Sequence, residues 1–122
     1  MRVHFERSGG FGGMRLTAEL DTDQLQATYG AAHVQRVLSP EEARHLERLV
    51  ESSDFFTLPA RTSSAARGAD RFQYIITVEN AGKRHSVHTI DEAAPEALSA
   101  LLASLRNASM GRKIVPDSGH TP

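Results

Sequence analysis

Arg71-Phe72-Gln73-Tyr74-Ile75-Ile76-Thr77-Val78-Glu79 is the stretch from which the fold can be worked out. Phe72, Tyr74, Ile76 and Val78 fall at every second position, so an extended chain carries all four on one face. Gln73, Thr77 and Glu79 take the other face, with Ile75 as its apolar exception. Aromatic and β-branched residues suit a pleated, half-buried surface. Burying each of the four contributes roughly 1.5–3 kcal/mol. The run reads as a central strand with its even-numbered residues on the core.

Working towards the C-terminus, Asn80-Ala81-Gly82-Lys83 is a turn, and Arg84-His85-Ser86-Val87-His88-Thr89-Ile90 a returning strand. Parity sets the register. A turn of two or four residues places Val87 beside Ile76 and His85 beside Val78, which keeps Val87 in the core. Asp91-Glu92-Ala93-Ala94-Pro95-Glu96 then opens a helix with early negative charge and a proline in its first turn. Leu98, Leu101, Leu102 and Leu105 form its apolar stripe. After Arg106 the pattern dissolves, and Gly111, Pro116, Gly119 and Pro122 punctuate a tail expected to be disordered.

Working the other way, residues 60–70 are small, polar and without period, as a loop is. Before them Ser39-Pro40-Glu41-Glu42 is a helix start: Ser39 caps, Pro40 suits the first position, and Glu42 completes a capping box. Ala43, Leu46, Leu49 and Val50 mark that helix's buried face, Ser52-Ser53-Asp54 its end. Phe55, Phe56 and Leu58 are expected to plug the sheet edge before Pro59. Residues 21–38 are less legible. Asp21-Thr22-Asp23 suits the cap of a short helical turn, Tyr29-Gly30 a turn, and His33-Val34-Gln35-Arg36-Val37 a short strand.

At the N-terminus Val3 and Phe5 alternate with Arg2, His4 and Glu6, and Met14, Leu16, Ala18 and Leu20 with Arg15, Thr17, Glu19 and Asp21. Two half-buried strands joined by Ser8-Gly9-Gly10-Phe11-Gly12-Gly13 make a β-hairpin with a permissive loop. A phosphate cradle is excluded, because such a loop must open a helix, and here a strand follows. Two readings of the loop stand: a turn whose Phe11 tucks back on the sheet, or one that presents Phe11 to a partner. The order strand, strand, helix, strand, strand, helix predicts an α+β domain, ββαββα. Its four-stranded, mostly antiparallel sheet would carry both helices on one face. The domain should span residues 1–105 and the tail residues 106–122.

A chain of 122 residues is one domain's worth. With 14 basic and 15 acidic residues it has a net charge of −1, which argues against binding nucleic acid or an anionic membrane. It has no cysteine, so disulfides and thiolate metal sites are excluded. The first residues hold no apolar run of signal-peptide length, so the expected location is the cytoplasm, with leaderless export the alternative. The six histidines have no ligand spacing: His85 and His88 point to opposite faces of a strand, and neither H-E-x-x-H nor a cysteine pair occurs. Ser8, Ser39 and Ser86 lack a nucleophile elbow, and Asp70, between Arg67 and Arg71, suits a salt-bridged loop anchor better than a general base. The chain reads as a non-enzyme without metal or cofactor.

Four segments carry a resemblance. They are His4-Phe5-Glu6-Arg7-Ser8-Gly9-Gly10-Phe11, Ser39-Pro40-Glu41-Glu42-Ala43, Phe55-Phe56-Thr57-Leu58-Pro59 and Gly68-Ala69-Asp70-Arg71-Phe72-Gln73-Tyr74, with support from Arg84-His85-Ser86-Val87. Together they resemble the emfourin family, small proteinaceous inhibitors associated with protealysin and other thermolysin-like metallopeptidases. The likeness runs from residue 1 to about Leu105. Residues 24–38 depart from the family's pattern, which passes quickly from the second strand to the Ser-Pro-Glu-Glu helix. The resemblance implies an inhibitor that binds a thermolysin-like peptidase and blocks its zinc cleft; the chain is expected to be a monomer.

Two surfaces are candidates for that contact. One is Gly9, Gly10, Phe11 and Gly12, where a bulky apolar side chain on glycines would fill a cleft, at the cost of ordering the loop. The other is Arg67, Gly68, Ala69 and Asp70, for which a strand-entry turn held by Asp70 is the competing reading. The rival function is a non-inhibitory interaction module, an assembly partner of a secreted or cytoplasmic enzyme.

Overall fold

The computed structural model describes residues 1–9, 14–61, 72–90 and 96–114. In chain order the elements are β1 (Arg2–Gly9), β2 (Met14–Asp21), β3 (Gln26–Tyr29), β4 (Val34–Val37), α1 (Pro40–Ser52), a 3₁₀ turn (Phe55–Thr57), β5 (Phe72–Asn80), β6 (Lys83–Ile90) and α2 (Glu96–Ser109). The strands form one six-stranded sheet in the order β4-β3-β2-β1-β5-β6, with every neighbouring pair antiparallel. The α+β class holds, and the expected count of four strands is corrected to six.

The two additional strands come from the least legible segment. Asp21 Oδ1 accepts from the backbone N–H groups of Asp23 and Gln24 at 3.0 and 3.1 Å. That turn, with Leu25 at a φ of 55°, reverses the chain instead of starting a helix. β3 then buries Ala27, half-buries Tyr29 inward, and sends Gln26 and Thr28 outward. Four residues with one small and one aromatic inward side chain give too little alternation to stand out. β4 is an edge strand with Val34, Gln35 and Val37 exposed, so burial imposes no period on it.

The core is built in rows across the sheet. One row is Ala27, Leu20, Val3, Val78 and His85; the next is Tyr29, Ala18, Phe5, Ile76 and Val87. Val87 thus lies beside Ile76, as parity requires, across a two-residue turn at Ala81 and Gly82. Both turn residues have positive φ, 53° and 81°, which is how a tight hairpin matches strand twist. Phe5 stacks on Tyr74 with ring centroids 5.9 Å apart.

Both helices close over this one face. Leu46 and Val50 of α1 and Leu98, Leu101, Leu102 and Leu105 of α2 join the same buried cluster as the sheet rows. Ser39 caps α1 with the full capping box, its Oγ accepting from the Glu42 N–H at 3.0 Å. The helix ends at Ser53, where the chain turns through Asp54 with a φ of 52°. Phe55 is then buried edge-on against the His85 ring, so this apolar plug sits beside β6 as expected. α2 continues past Arg106 to Ser109, and Ile114 beyond it is 1 % exposed in the core. Ala108 and Ser109 are buried on that helix without adding to the leucine stripe.

Candidate functional site

The two candidate surfaces issue from the same rim of the sheet. Gly9 ends β1, and its lateral partners are Met14 on one side and Phe72 on the other. Gly9 has a φ of 106°, which a residue with a Cβ adopts only with strain, and this is where β1 leaves the sheet. Met14 and Phe72 stand two strand spacings apart, about 10 Å. Of the residues picked from the sequence, Gly9 is described, whereas Gly10, Phe11, Gly12, Arg67, Gly68, Ala69 and Asp70 lie outside the described residues.

The second segment is anchored at its other end on β6. The His88 N–H donates to the Ala60 carbonyl at 2.8 Å, and Arg61 forms a parallel bridge with His88. His85 Nε2 lies 2.6 Å from the Leu58 carbonyl, fixing the chain just before that bridge. Residues 62–71 therefore connect a strap outside β6 to the start of β5, and both ends of that connection lie towards the rim that holds Gly9.

Below the rim the two sheet faces differ. On the outer face the register lines up Arg15, Ser8, Gln73 and Ile90, with Glu6 one step further in. Arg15 Nε donates to Glu6 Oε2 at 2.8 Å, while the Arg15 side chain remains 67 % exposed. An exposed guanidinium held by Glu6 thus stands next to Met14, at the start of β2. On the core face the matching row is Leu16, Arg7, Tyr74 and Thr89, where Arg7 breaks the apolar alternation of Val3 and Phe5. Neither arginine was picked from the sequence. The signal was there in part: positions 6 and 15 carry opposite charge, and a hairpin closing at Gly9 and Met14 makes them diagonal neighbours.

The opposite end of the sheet holds a buried ionic node with a structural role. Glu42 accepts from Arg36 Nη1 and Nη2 at 3.2 and 2.9 Å, from the Ser39 N–H at 3.0 Å and from the Ile114 N–H at 2.9 Å. Burial acts to raise its pKa, but these hydrogen bonds and the Arg36 charge outweigh it and lower the pKa to about 2. A carboxylate so occupied by donors is a poor general base. Among the described residues no three His, Cys, Asp or Glu side chains are grouped as a metal ion would need. Nor, among them, is any helix long and apolar enough to cross a membrane.

The described residues thus form an antiparallel sheet with one helical layer and a rim from which the stems of the two candidate segments issue. The chain belongs to the emfourin family, whose model it matches over residues 5–106. Membership points to a metallopeptidase inhibitor and to a metallopeptidase as the kind of partner. Comparison with curated proteins and with solved structures returns no match.

Proposed function

We propose that this chain inhibits a thermolysin-like zinc metallopeptidase by applying the Gly9 rim of its sheet to the peptidase's active-site cleft. Phe11 is the anchor and the Arg67–Asp70 segment a second contact beside it. The observation that supports this reading most is the double pairing of Gly9 with Met14 and Phe72, which sets the stems of both segments side by side. One partner surface can then meet both. Thermolysin-like peptidases take a bulky apolar side chain beside the scissile bond, and an aromatic residue is the usual anchor of such a contact.

The test is Phe11→Ala assayed against a panel of thermolysin-like peptidases. Inhibition should weaken by at least about 2 kcal/mol, roughly thirtyfold in the inhibition constant, with the melting temperature nearly unchanged. A variant that inhibits normally but melts lower would assign Phe11 to the core and refute the anchor.

A further inference from the structure

The outer face of the sheet is paired at one end and uncommitted at the other. Away from the rim its side chains answer one another. Arg2 Nε lies 3.7 Å from Asp21 Oδ2, Arg84 Nε 3.5 Å from Glu79 Oε2 and His4 Nδ1 3.6 Å from Glu19 Oε2. The Thr77 and Ser86 hydroxyls are hydrogen-bonded at 2.7 Å. The row next to the rim differs. It runs Arg15, Ser8 and Gln73 across β2, β1 and β5, and each adjoins in sequence one of the rim residues Met14, Gly9 and Phe72. Among the described residues the Ser8 and Gln73 side chains make no hydrogen bond. Arg15 Nε and Nη2 both donate to the same oxygen, Glu6 Oε2, which leaves the other N–H groups of the fork uncommitted among those residues.

What such a row can receive follows from its chemistry. A guanidinium only donates, whereas a hydroxyl and a primary amide both donate and accept. The one charge of the row is already held against Glu6. The row therefore suits neutral groups that offer a C=O and an N–H together, as a polypeptide main chain does, while a bare anion would use its donors alone. The spacing agrees. Neighbouring strands lie about 4.8 Å apart, so Arg15 and Gln73 stand about 10 Å apart, the length of about three residues of extended chain. Holding the Arg15 guanidinium on Glu6 before contact also lowers the side-chain entropy lost on binding.

We infer that Arg15, Ser8 and Gln73 seat a stretch of the target peptidase's main chain at the lip of its cleft. This rests on the inhibitory function proposed above and adds to it a polar contact on the outer face of the sheet. The row is continuous with the Gly9 rim, so a partner that meets the rim reaches it without any further movement of the sheet. Its hydrogen bonds would fix the orientation of the inhibitor on the peptidase, where an apolar anchor alone leaves rotation about itself open.

The test is the inhibition constant of the full chain against whichever thermolysin-like peptidase the wild type inhibits best. Arg15→Ala and Gln73→Ala should each raise it at least about fivefold, while Arg84→Ala, at the paired end of the same face, should leave it unchanged. Gln73 is exposed and free of side-chain hydrogen bonds among the described residues, so its variant should keep the wild-type melting temperature. It keeps the test decisive should Arg15→Ala, by stranding Glu6, perturb folding. Arg15→Lys retains the charge without the fork and should stay weakened; a lysine variant that inhibits like the wild type overturns the inference, since charge alone would then act. Normal inhibition by Gln73→Ala overturns the seat and leaves the proposed function standing. A wild type that inhibits no thermolysin-like peptidase refutes that function, and the seat with it.

Discussion

Acid unfolding should expose the Glu42 node, and its size can be worked from the site. The Glu42 carboxyl is lowered from 4.5 to about 2 in the folded protein, and that difference corresponds to about 3 kcal/mol. Because the folded-state pKa lies below the unfolded one, the contribution is complete above about pH 4.5 and is lost as the pH falls from there through about 2. Glu42→Gln removes the charge while keeping the shape, and turns an amide NH₂ towards donors from Arg36, Ser39 and Ile114. The variant should be less stable by about 3 kcal/mol at pH 7, because the half-buried Arg36 guanidinium loses its counter-charge. Urea denaturation of both proteins between pH 2 and pH 7 is the assay. The difference between them should be flat above about pH 5 and close towards zero near pH 2. A gap that stays constant across this range would refute the argument, since the loss would then be one of shape and not of charge.

Tyr74→Ala should cost about 3–5 kcal/mol in denaturant unfolding, because the side chain is 1 % exposed and stacked on Phe5; a cost under 1 kcal/mol would mean the row refills. Ser39→Ala should lower stability by about 1 kcal/mol through loss of the α1 cap, and Ser39→Asp should restore most of it. Ala81→Asn should raise the melting temperature, by about 0.5–1 kcal/mol of stability, since asparagine adopts the left-handed conformation of that turn more readily than alanine. A melting temperature that falls would show that Ala81 carries no backbone strain.

How much of this was legible depended on whether a segment buries one face strongly. The alternation of β5, the parity of the Ala81-Gly82 turn, the capping box at Ser39 and the leucine stripe of α2 could each be read locally. In each, burial or a hydrogen bond within four residues dictates residue type. β3 could not be read so, because it is inward through Ala27 and Tyr29 alone; β4 matches the short strand expected over His33–Val37, but, exposed on both faces, it has no burial period to place it in the sheet. Towards the C-terminus no period shows for a related reason: Ala108 and Ser109 are small buried residues, and Ile114 stands alone in a polar stretch.

The candidate site divides in the same way. The Gly-rich turn and the Arg67–Asp70 segment could be singled out by composition, since glycines around one phenylalanine and a small polar loop are visible in one dimension. That their stems share a rim follows from Gly9 pairing with Phe72, residues far apart in the chain whose adjacency no local pattern encodes. The same holds for Glu42, which looked like half of a capping box. Its ties to Arg36 on β4 and to the Ile114 N–H arise only when the ends of the sheet and of α2 pack together. Local sequence specifies conformation through dihedral preference and periodic burial. Which strands lie side by side is decided by which apolar faces can be covered at once, and that is a property of the whole packed chain.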